Sequence, residues 1–209
     1  FIIDALNRGE SRLAEVNKLS SKLDYKVNSL PIDRSLTGPN CIAQFAGRIF
    51  YAGFTSELIG GDANSPRLGS YVLFSKLIEN PKDLKICYQV GDPTSKNNSD
   101  LLDTDGGFLR LDGAYSIQAM ISLPSGLAVL AENGVWLIQG EDKGQFKATS
   151  FSTSKISPNG CDSPSSVVVT GSGFMFWSRD GIYEVSPDQF GDLKVANMTM
   201  GKIQNLYSS

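Results

Sequence analysis

The sequence predicts an all-β fold: a β-propeller-like array of about three recognisable antiparallel blades that follows a short helical N-terminal lead-in. Three observations support this prediction. Short apolar runs flank a tight-turn signal at Asn133-Gly134, the pattern around this turn recurs 47 residues further on (173 − 126 = 47), and two strands are apolar on both faces. A unit of this length is near that of one four-stranded propeller blade.

The hairpin signal lies within 127–138. A type I′ turn needs positive φ at both central residues, and Asn133 followed by Gly134 tolerates this at least cost. The pattern returns at 173–183, where Asp180-Gly181 replaces Asn133-Gly134. When the sequence is aligned with itself at a shift of 47 residues, glycines match glycines and apolar runs match apolar runs on both sides of the turn without a gap. We therefore expect two like units rather than two hairpins that match by chance.

The strands at 127–131 and 174–177 are apolar on both faces. Such strands must be covered on both sides, as inner strands are when neighbouring blades stack face to face. Burying one large apolar side chain contributes about 1.5–3 kcal/mol to stability. An isolated unit cannot bury these side chains, so each unit is expected to pack against the next. The strand before the first of them alternates, which predicts one common inner face for four residues: Ile117, Ala119, Ile121 and Leu123.

The predicted organisation has a helix-containing lead-in and linker at 1–39 and a propeller-like β domain at 40–209. Apolar residues at i, i+3 and i+6 predict a helix over 11–23. Leu84 to Val90 is predicted as the outer strand of the first blade. The chain opens without Met or a targeting segment, which predicts a fragment of a longer chain. The blades are expected at about 40–90, 113–157 and 160–207.

Composition and charge exclude several function classes. The net charge is −3 and the 19 Lys and Arg are scattered, which disfavours tight nucleic-acid binding. The chain has no His, which removes Ser-His and Cys-His catalysis and His-ligated metals. No apolar run approaches the roughly 18 residues of a membrane helix, so no membrane-spanning segment is expected. Buried free thiols are predicted at the three cysteines, Cys41, Cys87 and Cys161.

Acidic residues are the main candidates for chemistry. The densest cluster comprises Asp100, Asp103, Asp105 and Asp112. It echoes part of a calcium loop, but it lacks a ligand at position 101 and a Glu soon after Gly106, which favours a solvated turn. A glycosidase needs two carboxyls facing each other across a sugar, and the hairpin positions of Glu132 and Asp180 favour turn roles instead. We therefore predict no catalytic, cofactor-binding or metal-binding residues, no cofactor and no enzyme activity. The carboxylates considered are Asp62, Asp100, Asp103, Asp105, Asp112, Glu132 and Asp180.

Two further features have a binding and a structural interpretation. Trp136, Trp177 and Tyr183 could stack on a sugar or base, but their strand-interior or repeat-equivalent positions favour blade core. Loops longer than about 12–15 residues are usually functional or disordered, so partner contacts are predicted at the two long loops, 53–70 and 91–112.

Several motifs together resemble the tail nozzle proteins (tail tubular protein B) of short-tailed bacteriophages. The resemblance implies a longer chain that contains a β-propeller and assembles as a ring, six-fold in the family, below the tail adaptor. The motifs, in chain order, are FIIDALNR at 1–8, FAGRIFYAG at 45–53, YVLFS at 71–75, LLDTDGG at 101–107, NGVW at 133–136 and RDGIY at 179–183.

The resemblance also implies a function: a structural subunit of the virion tail, assembled in the host cytoplasm, that forms part of the channel for genome ejection and an attachment point for tail fibres. Double-stranded DNA would pass through it non-specifically, which suits an acidic chain without a basic patch. The family is structural and supplies no catalytic residues. Two alternatives stay open: a free-standing β-propeller that binds a peptide or glycan, and a carboxylate-dependent glycosidase.

Overall fold

The structure is a computed structural model that describes residues 26–27, 30–31, 39–54, 68–90, 101–141, 145–200 and 203. These residues form three four-stranded antiparallel sheets and one two-stranded hairpin, with only short 3-10 turns as helix. The predicted all-β class is therefore confirmed. The helix predicted over 11–23 lies outside the described residues.

Each four-stranded sheet is an antiparallel meander, in which strands adjacent along the chain are also adjacent in the sheet. The two-stranded hairpin comprises β1 (Lys26–Val27) and β2 (Leu30–Pro31). The first sheet comprises β3 (Cys41–Phe45), β4 (Arg48–Ala52), β5 (Tyr71–Phe74) and β6 (Gly107–Arg110). The second comprises β7 (Ile117–Leu123), β8 (Gly126–Ala131), β9 (Gly134–Gln139) and β10 (Ser152–Ser157). The third comprises β11 (Val168–Val169), β12 (Phe174–Ser178), β13 (Gly181–Pro187) and β14 (Leu193–Asn197).

The fourth strand of the first sheet is β6, so the strand predicted over 84–90 is wrong. Part of that segment belongs to a 3-10 helix at Pro81–Lys85 instead, where the Asp83 carboxylate accepts hydrogen bonds from the backbone N–H groups of Glu79 and Asn80. These local bonds compete with strand pairing. The first sheet extends to Arg110, beyond the predicted boundary at 90.

Two hydrophobic cores lie on the two faces of the second sheet. All six residues of β8 are buried. Leu127, Val129 and Ala131 pack against the first sheet, whereas Ala128 and Leu130 pack against the third. The prediction that this strand is covered on both faces is confirmed, and the sheets are stacked in chain order.

The alternation predicted for β7 is interrupted by a bulge between Ile117 and Ala119. Ile117 and Met120 therefore contact the core shared with the first sheet, whereas Ile121 and Leu123 contact the core shared with the third. The prediction of one common face for Ile117 and Ile121 is wrong, because the extra residue of a bulge rotates the side chains beyond it.

The hairpin between β8 and β9 differs from the predicted type I′ turn. Ala131 pairs with Gly134, so Glu132 and Asn133 form the loop, and neither has a positive φ. The Asn133 side chain is engaged with the linker that precedes β7, accepting from the backbone N–H of Tyr115 at 2.9 Å. The two-residue loop with positive φ at both positions is instead Ala46-Gly47, between β3 and β4, with φ values of 48° and 71°.

The 47-residue repeat is clearest in the hairpins. Ala131 pairs with Gly134 in the second sheet, and Ser178 pairs with Gly181 in the third. The register changes at the fourth strand, so the prediction of an ungapped repeat is wrong there. Leu137 pairs with Ser154 and the equivalent Glu184 pairs with Ala196, not with residue 201. The β13–β14 hairpin is shorter because a tight turn at 188–192 closes it.

Replacing Gly173 by alanine is expected to lower the free energy of unfolding by about 1–3 kcal/mol, because overpacking against backbone forces a local shift. A Cβ at Gly173 would lie 1.9 Å from the Val185 carbonyl oxygen. Gly171→Ala is the matched control, since a Cβ there meets nothing within 4 Å. Urea unfolding measures both, and equal stability of the two variants would contradict the assigned register.

Candidate functional site

Two residues of the predicted acidic cluster, Asp103 and Asp105, lie beside the first sheet next to a buried arginine that the sequence did not single out. Arg48 on β4 is 1% exposed. Its Nη1 donates to the carbonyl oxygens of Ser75 at 2.7 Å and Asp105 at 2.5 Å, and its Nη2 donates to the carbonyl oxygen of Asp103. We call this arrangement the Arg48 clasp, because it ties the 101–107 segment to β4 and to the end of β5.

Aromatic rings complete the surroundings of the Arg48 guanidinium. Its Cζ lies 5.6 Å from the ring centroid of Phe74 and 5.7 Å from that of Phe146. Burial lowers the pKa of Arg48, and the nearby Asp105 and Asp103 carboxylates oppose that shift. Within the part of the chain that the structure describes, the Nε atom has no hydrogen-bond partner. The clasp therefore keeps a cation inside an apolar core by means of carbonyl oxygens and ring faces.

The side chains of Asp103 and Asp105 are engaged in internal hydrogen bonds. The Asp105 carboxylate accepts from the backbone N–H groups of Val90 at 3.3 Å and Leu102 at 3.0 Å. Asp112 lies apart, after β6, with its side chain 98% exposed, and Asp100 is outside the described residues. Among the residues that the structure describes, no three His, Cys, Asp or Glu side chains are grouped to hold a metal ion.

Asp103 links the first sheet to the second. Its carboxylate accepts a hydrogen bond from the Thr149 hydroxyl, and its Oδ2 lies 2.8 Å from Lys147 Nζ. Its carbonyl oxygen also accepts from the Ala148 backbone N–H at 3.2 Å. These contacts hold the connection between β9 and β10 against the segment 101–107, which leads into β6.

Acid is expected to weaken this link. Hydrogen bonding from Lys147, then from Thr149, holds the pKa of Asp103 below its ordinary value of 3.8. A carboxylate with a depressed folded-state pKa stabilises the fold above its unfolded-state pKa, and the stabilisation is lost as pH falls through the folded-state value. Urea midpoints measured from pH 6 to pH 2 should therefore fall less steeply for Asp103→Asn than for the wild type. Asp112→Asn is the exposed control and should keep the wild-type slope; equal slopes for all three proteins would contradict the link.

The other carboxylates considered for catalysis are hairpin residues of different sheets. Glu132 Oε1 accepts from Gln118 Nε2 at 3.1 Å. Asp180 Oδ2 accepts from the Tyr183 hydroxyl at 2.7 Å and from Asn159 Nδ2 at 2.9 Å. Both carboxylates therefore hold hairpin residues in place, as their positions in the sequence predict. Asp62 lies outside the described residues.

The three aromatic candidates occupy different places. Trp136 is 4% exposed in the core between the first and second sheets, and Tyr183 is 8% exposed in the core between the second and third, which confirms the prediction of core positions. Trp177 is 51% exposed on the outer face of the third sheet, so the prediction of burial is wrong for this residue and for that face of β12.

The three cysteines are free thiols, as predicted, and Cys87 and Cys161 are buried, whereas Cys41 is only half-buried, so the prediction of burial is wrong for Cys41. Burial raises the pKa of Cys41 and of Cys87 to about 12, and it also raises the pKa of Cys161. Thiols of this kind stay protonated at neutral pH and are poor nucleophiles. Their arrangement suits packing rather than covalent chemistry.

The described part of the two predicted contact loops is mainly structural. Residues 55–67 and 91–100 lie outside the described residues. Residues 101–112 contain the Asp103 and Asp105 contacts and the strand β6. The prediction of 91–112 as one loop is therefore wrong at Gly107–Arg110, where β6 completes the first sheet, whereas its prediction as a contact surface stays a prediction.

Comparison with known proteins does not assign the chain to a family. Within the described ranges, the chain forms no helix with the length and apolar character needed to cross a membrane. No protein-family model matches the sequence, and a search of curated proteins gives no match.

Proposed function

We propose that the chain is a structural subunit of a bacteriophage tail nozzle and that it acts by assembly rather than by catalysis. In this role it forms part of a ring-shaped channel for genome ejection and an attachment point for fibres. The observation that carries the proposal is the Arg48 clasp. It joins two of the motifs on which the family resemblance rests, 45–53 and 101–107, through hydrogen bonds between residues 55 and 57 positions apart.

The stacking of the sheets supports a propeller-like arrangement within this subunit. Consecutive meanders pack face to face, and one face of the second sheet is covered by the first sheet while the other is covered by the third. Blades of a β-propeller are four-stranded sheets repeated in this way. We propose that the three sheets are successive blades.

The internal use of the reactive groups supports an architectural role. The carboxylates of Asp103, Asp105, Glu132 and Asp180 hold loops, linkers and hairpins in place. In a glycosidase, two such groups would instead face each other across a substrate.

Negative-stain electron microscopy of the purified full chain tests the proposal. We expect rings with a central opening, built from copies of the chain. Variants that lack 55–67 or 91–100 are expected to keep the described sheets and to lose the rings, since both cuts spare β5 and β6. Particles of single copies at every concentration, with and without a purified tail adaptor protein, would overturn the proposal.

One observation favours the alternative of a glycan-binding module. Trp177 presents an indole that is 51% exposed on a sheet face, and such rings stack on sugars. Titration with a panel of oligosaccharides, followed by tryptophan emission, separates the two functions. Saturable binding by a monomeric protein, abolished in Trp177→Ala, would favour glycan recognition.

A further inference from the structure

The loop between β8 and β9 holds both ends of an asparagine side-chain amide. Asn133 Nδ2 donates to the Gly113 carbonyl oxygen at 2.6 Å, and Asn133 Oδ1 accepts from the Tyr115 backbone N–H at 2.9 Å. The Asn133 carbonyl oxygen accepts from Lys155 Nζ at 2.9 Å. Because one amide partner can only accept and the other can only donate, the site fits an amide, whereas an ionised carboxylate has no donor for Gly113.

The residue after Asn133 is a glycine for reasons of space. A Cβ at Gly134 would meet the Lys155 side chain and would lie 2.7 Å from the Ser157 carbonyl oxygen. Asparagine is a thermolabile residue, and a following glycine leaves the backbone nitrogen that attacks its side chain least shielded. Asn133 is exposed, so water reaches it. The contacts of this loop therefore favour both residues of a chemically labile pair.

The repeat offers a comparison for this position. The residue 47 positions later is Asp180, whose carboxylate accepts from the Tyr183 hydroxyl at 2.7 Å and from Asn159 Nδ2 at 2.9 Å. A carboxylate fits there because both partners donate. At Asn133 it would face the Gly113 carbonyl oxygen with no proton between the two oxygens. Conversion of Asn133 to an acid would therefore break the link to Gly113.

We infer that Asn133 is a site of spontaneous deamidation, that the folded β8–β9 loop restrains the reaction, and that the product loosens this loop from the linker before β7. In the reaction the Gly134 backbone nitrogen bonds to Asn133 Cγ, the Cγ–Nδ2 bond breaks, and Nδ2 leaves as ammonia with the proton of the Gly134 amide. Water then opens the cyclic imide at either carbonyl, which yields aspartate or isoaspartate. Water is the co-reactant, so the chemistry is independent of the proposed function.

The native contacts oppose closure of the imide ring. Turning Cγ of Asn133 towards the Gly134 nitrogen gives up the contacts of the amide with Gly113 and Tyr115. Gly134 is also held in β9, where it pairs with Ala131. The loop must therefore open before it reacts, and local opening of this kind costs less free energy than global unfolding.

The sequence contains a second Asn-Gly pair, Asn159-Gly160, which provides a reference within the same chain. Asn159 is half-buried, and a Cβ at Gly160 would overlap the Glu132 carbonyl oxygen. The cyclic imide has less room at this pair than in the exposed loop at Asn133. We therefore expect Asn159 to react more slowly than Asn133 in the folded chain, and expect the two rates to become similar in urea.

Peptide mapping by mass spectrometry tests the inference on the full chain, aged at neutral pH with and without urea. Asn133 should convert about tenfold more slowly in the folded chain than in urea, because opening the loop breaks two hydrogen bonds. Lys155→Met removes a bond that steadies the loop, so it should speed conversion of Asn133 in the folded chain and leave the rate in urea unchanged. Lys82→Met makes the same change at an exposed residue of the 3-10 helix Pro81–Lys85 and should alter neither rate.

The product is tested separately. Asn133→Asp reproduces one product and should lower the urea midpoint of unfolding, since its carboxylate faces the Gly113 carbonyl oxygen. Asn40→Asp makes the same chemical change at an exposed residue before β3 and should keep the wild-type midpoint. Circular dichroism checks that every variant keeps its sheet content.

Four results would overturn the inference: no conversion of Asn133 in urea, equal rates for Asn133 in the folded chain and in urea, an unchanged folded-chain rate in Lys155→Met, or a wild-type midpoint for Asn133→Asp. A faster rate in Lys155→Met that is confined to Asn133 reports opening of the loop and supports the inference. An equal rise at Asn159 would report global unfolding instead and count against it.

Discussion

Replacement of Arg48 by alanine is expected to lower the free energy of unfolding by about 3–5 kcal/mol, the cost of removing one partner from a buried charged network. The substitution takes away the donors to the carbonyl oxygens of Ser75, Asp103 and Asp105. The Ser75 and Asp105 oxygens would then lose hydrogen bonds at a buried site, where each unsatisfied group costs about 1–3 kcal/mol. The Asp103 oxygen would keep its hydrogen bond from the Ala148 backbone N–H. Guanidinium chloride unfolding, followed by circular dichroism, measures the loss.

The matched control is Arg110→Ala on β6 of the same sheet. The Arg110 side chain is 62% exposed, and its ion pair with Asp112 has an N–O distance of 4.0 Å. Exposed pairs of this kind contribute about 0–1 kcal/mol, so a small change is expected. Arg48→Lys should rescue little, because one ammonium cannot reproduce the fork of donors that reaches three oxygens. Equal stability of Arg48→Ala and Arg110→Ala would show that the clasp does not hold the 101–107 segment.

Replacement of Phe176 by alanine is expected to cost about 3–5 kcal/mol, the range for deleting a buried phenylalanine side chain. Phe176 is 1% exposed between the second and third sheets. Its ring centroid lies 5.7 Å from that of Tyr183 and 6.2 Å from that of Phe174. The measurement is the urea midpoint and slope of the unfolding transition.

Phe190→Ala makes the same chemical change at a residue that is 76% exposed, and it should shift the midpoint little. A single steep transition for Phe176→Ala, displaced to lower urea, is expected if the third sheet unfolds together with the second. A wild-type midpoint for Phe176→Ala would contradict the packing of the third sheet on the second.

The features that followed from the sequence are those set by local pattern. The apolar run of β8 predicted a strand covered on both faces, and all its residues are buried. The repeat predicted equivalent hairpins, and Gly134 and Gly181 begin equivalent strands with φ of 156° and 150°. Glycine is required at Gly181 also by space, since a Cβ there would lie 2.3 Å from Thr199 Oγ1.

The features that the sequence did not reveal depend on contacts distant in the chain. Gly107 on β6 pairs with Phe74 on β5, and neither local pattern nor repeat length indicates that partner. The bulge in β7 has no glycine or proline to mark it. One feature of the sequence could have indicated the role of Arg48. It alternates with Phe50 and Ala52, which are buried on β4, and a charged residue at a buried position needs an internal partner. Trp177 was assigned to the core because its strand is apolar on both sides, a pattern that an exposed apolar patch on a sheet shares with a core.

The connections of the first sheet have a consequence for folding kinetics. Phe50 pairs with Phe74, and Phe74 pairs with Gly107, so this sheet closes only when residues more than twenty and then more than thirty positions apart have met. The second and third sheets form mostly from strands joined by short hairpins. Because long-range pairing slows the search for the native state, the second and third sheets should form early in refolding and the first sheet last. Arg48 would lose its solvent in that final step, which makes desolvation of one cation part of the slowest event in folding.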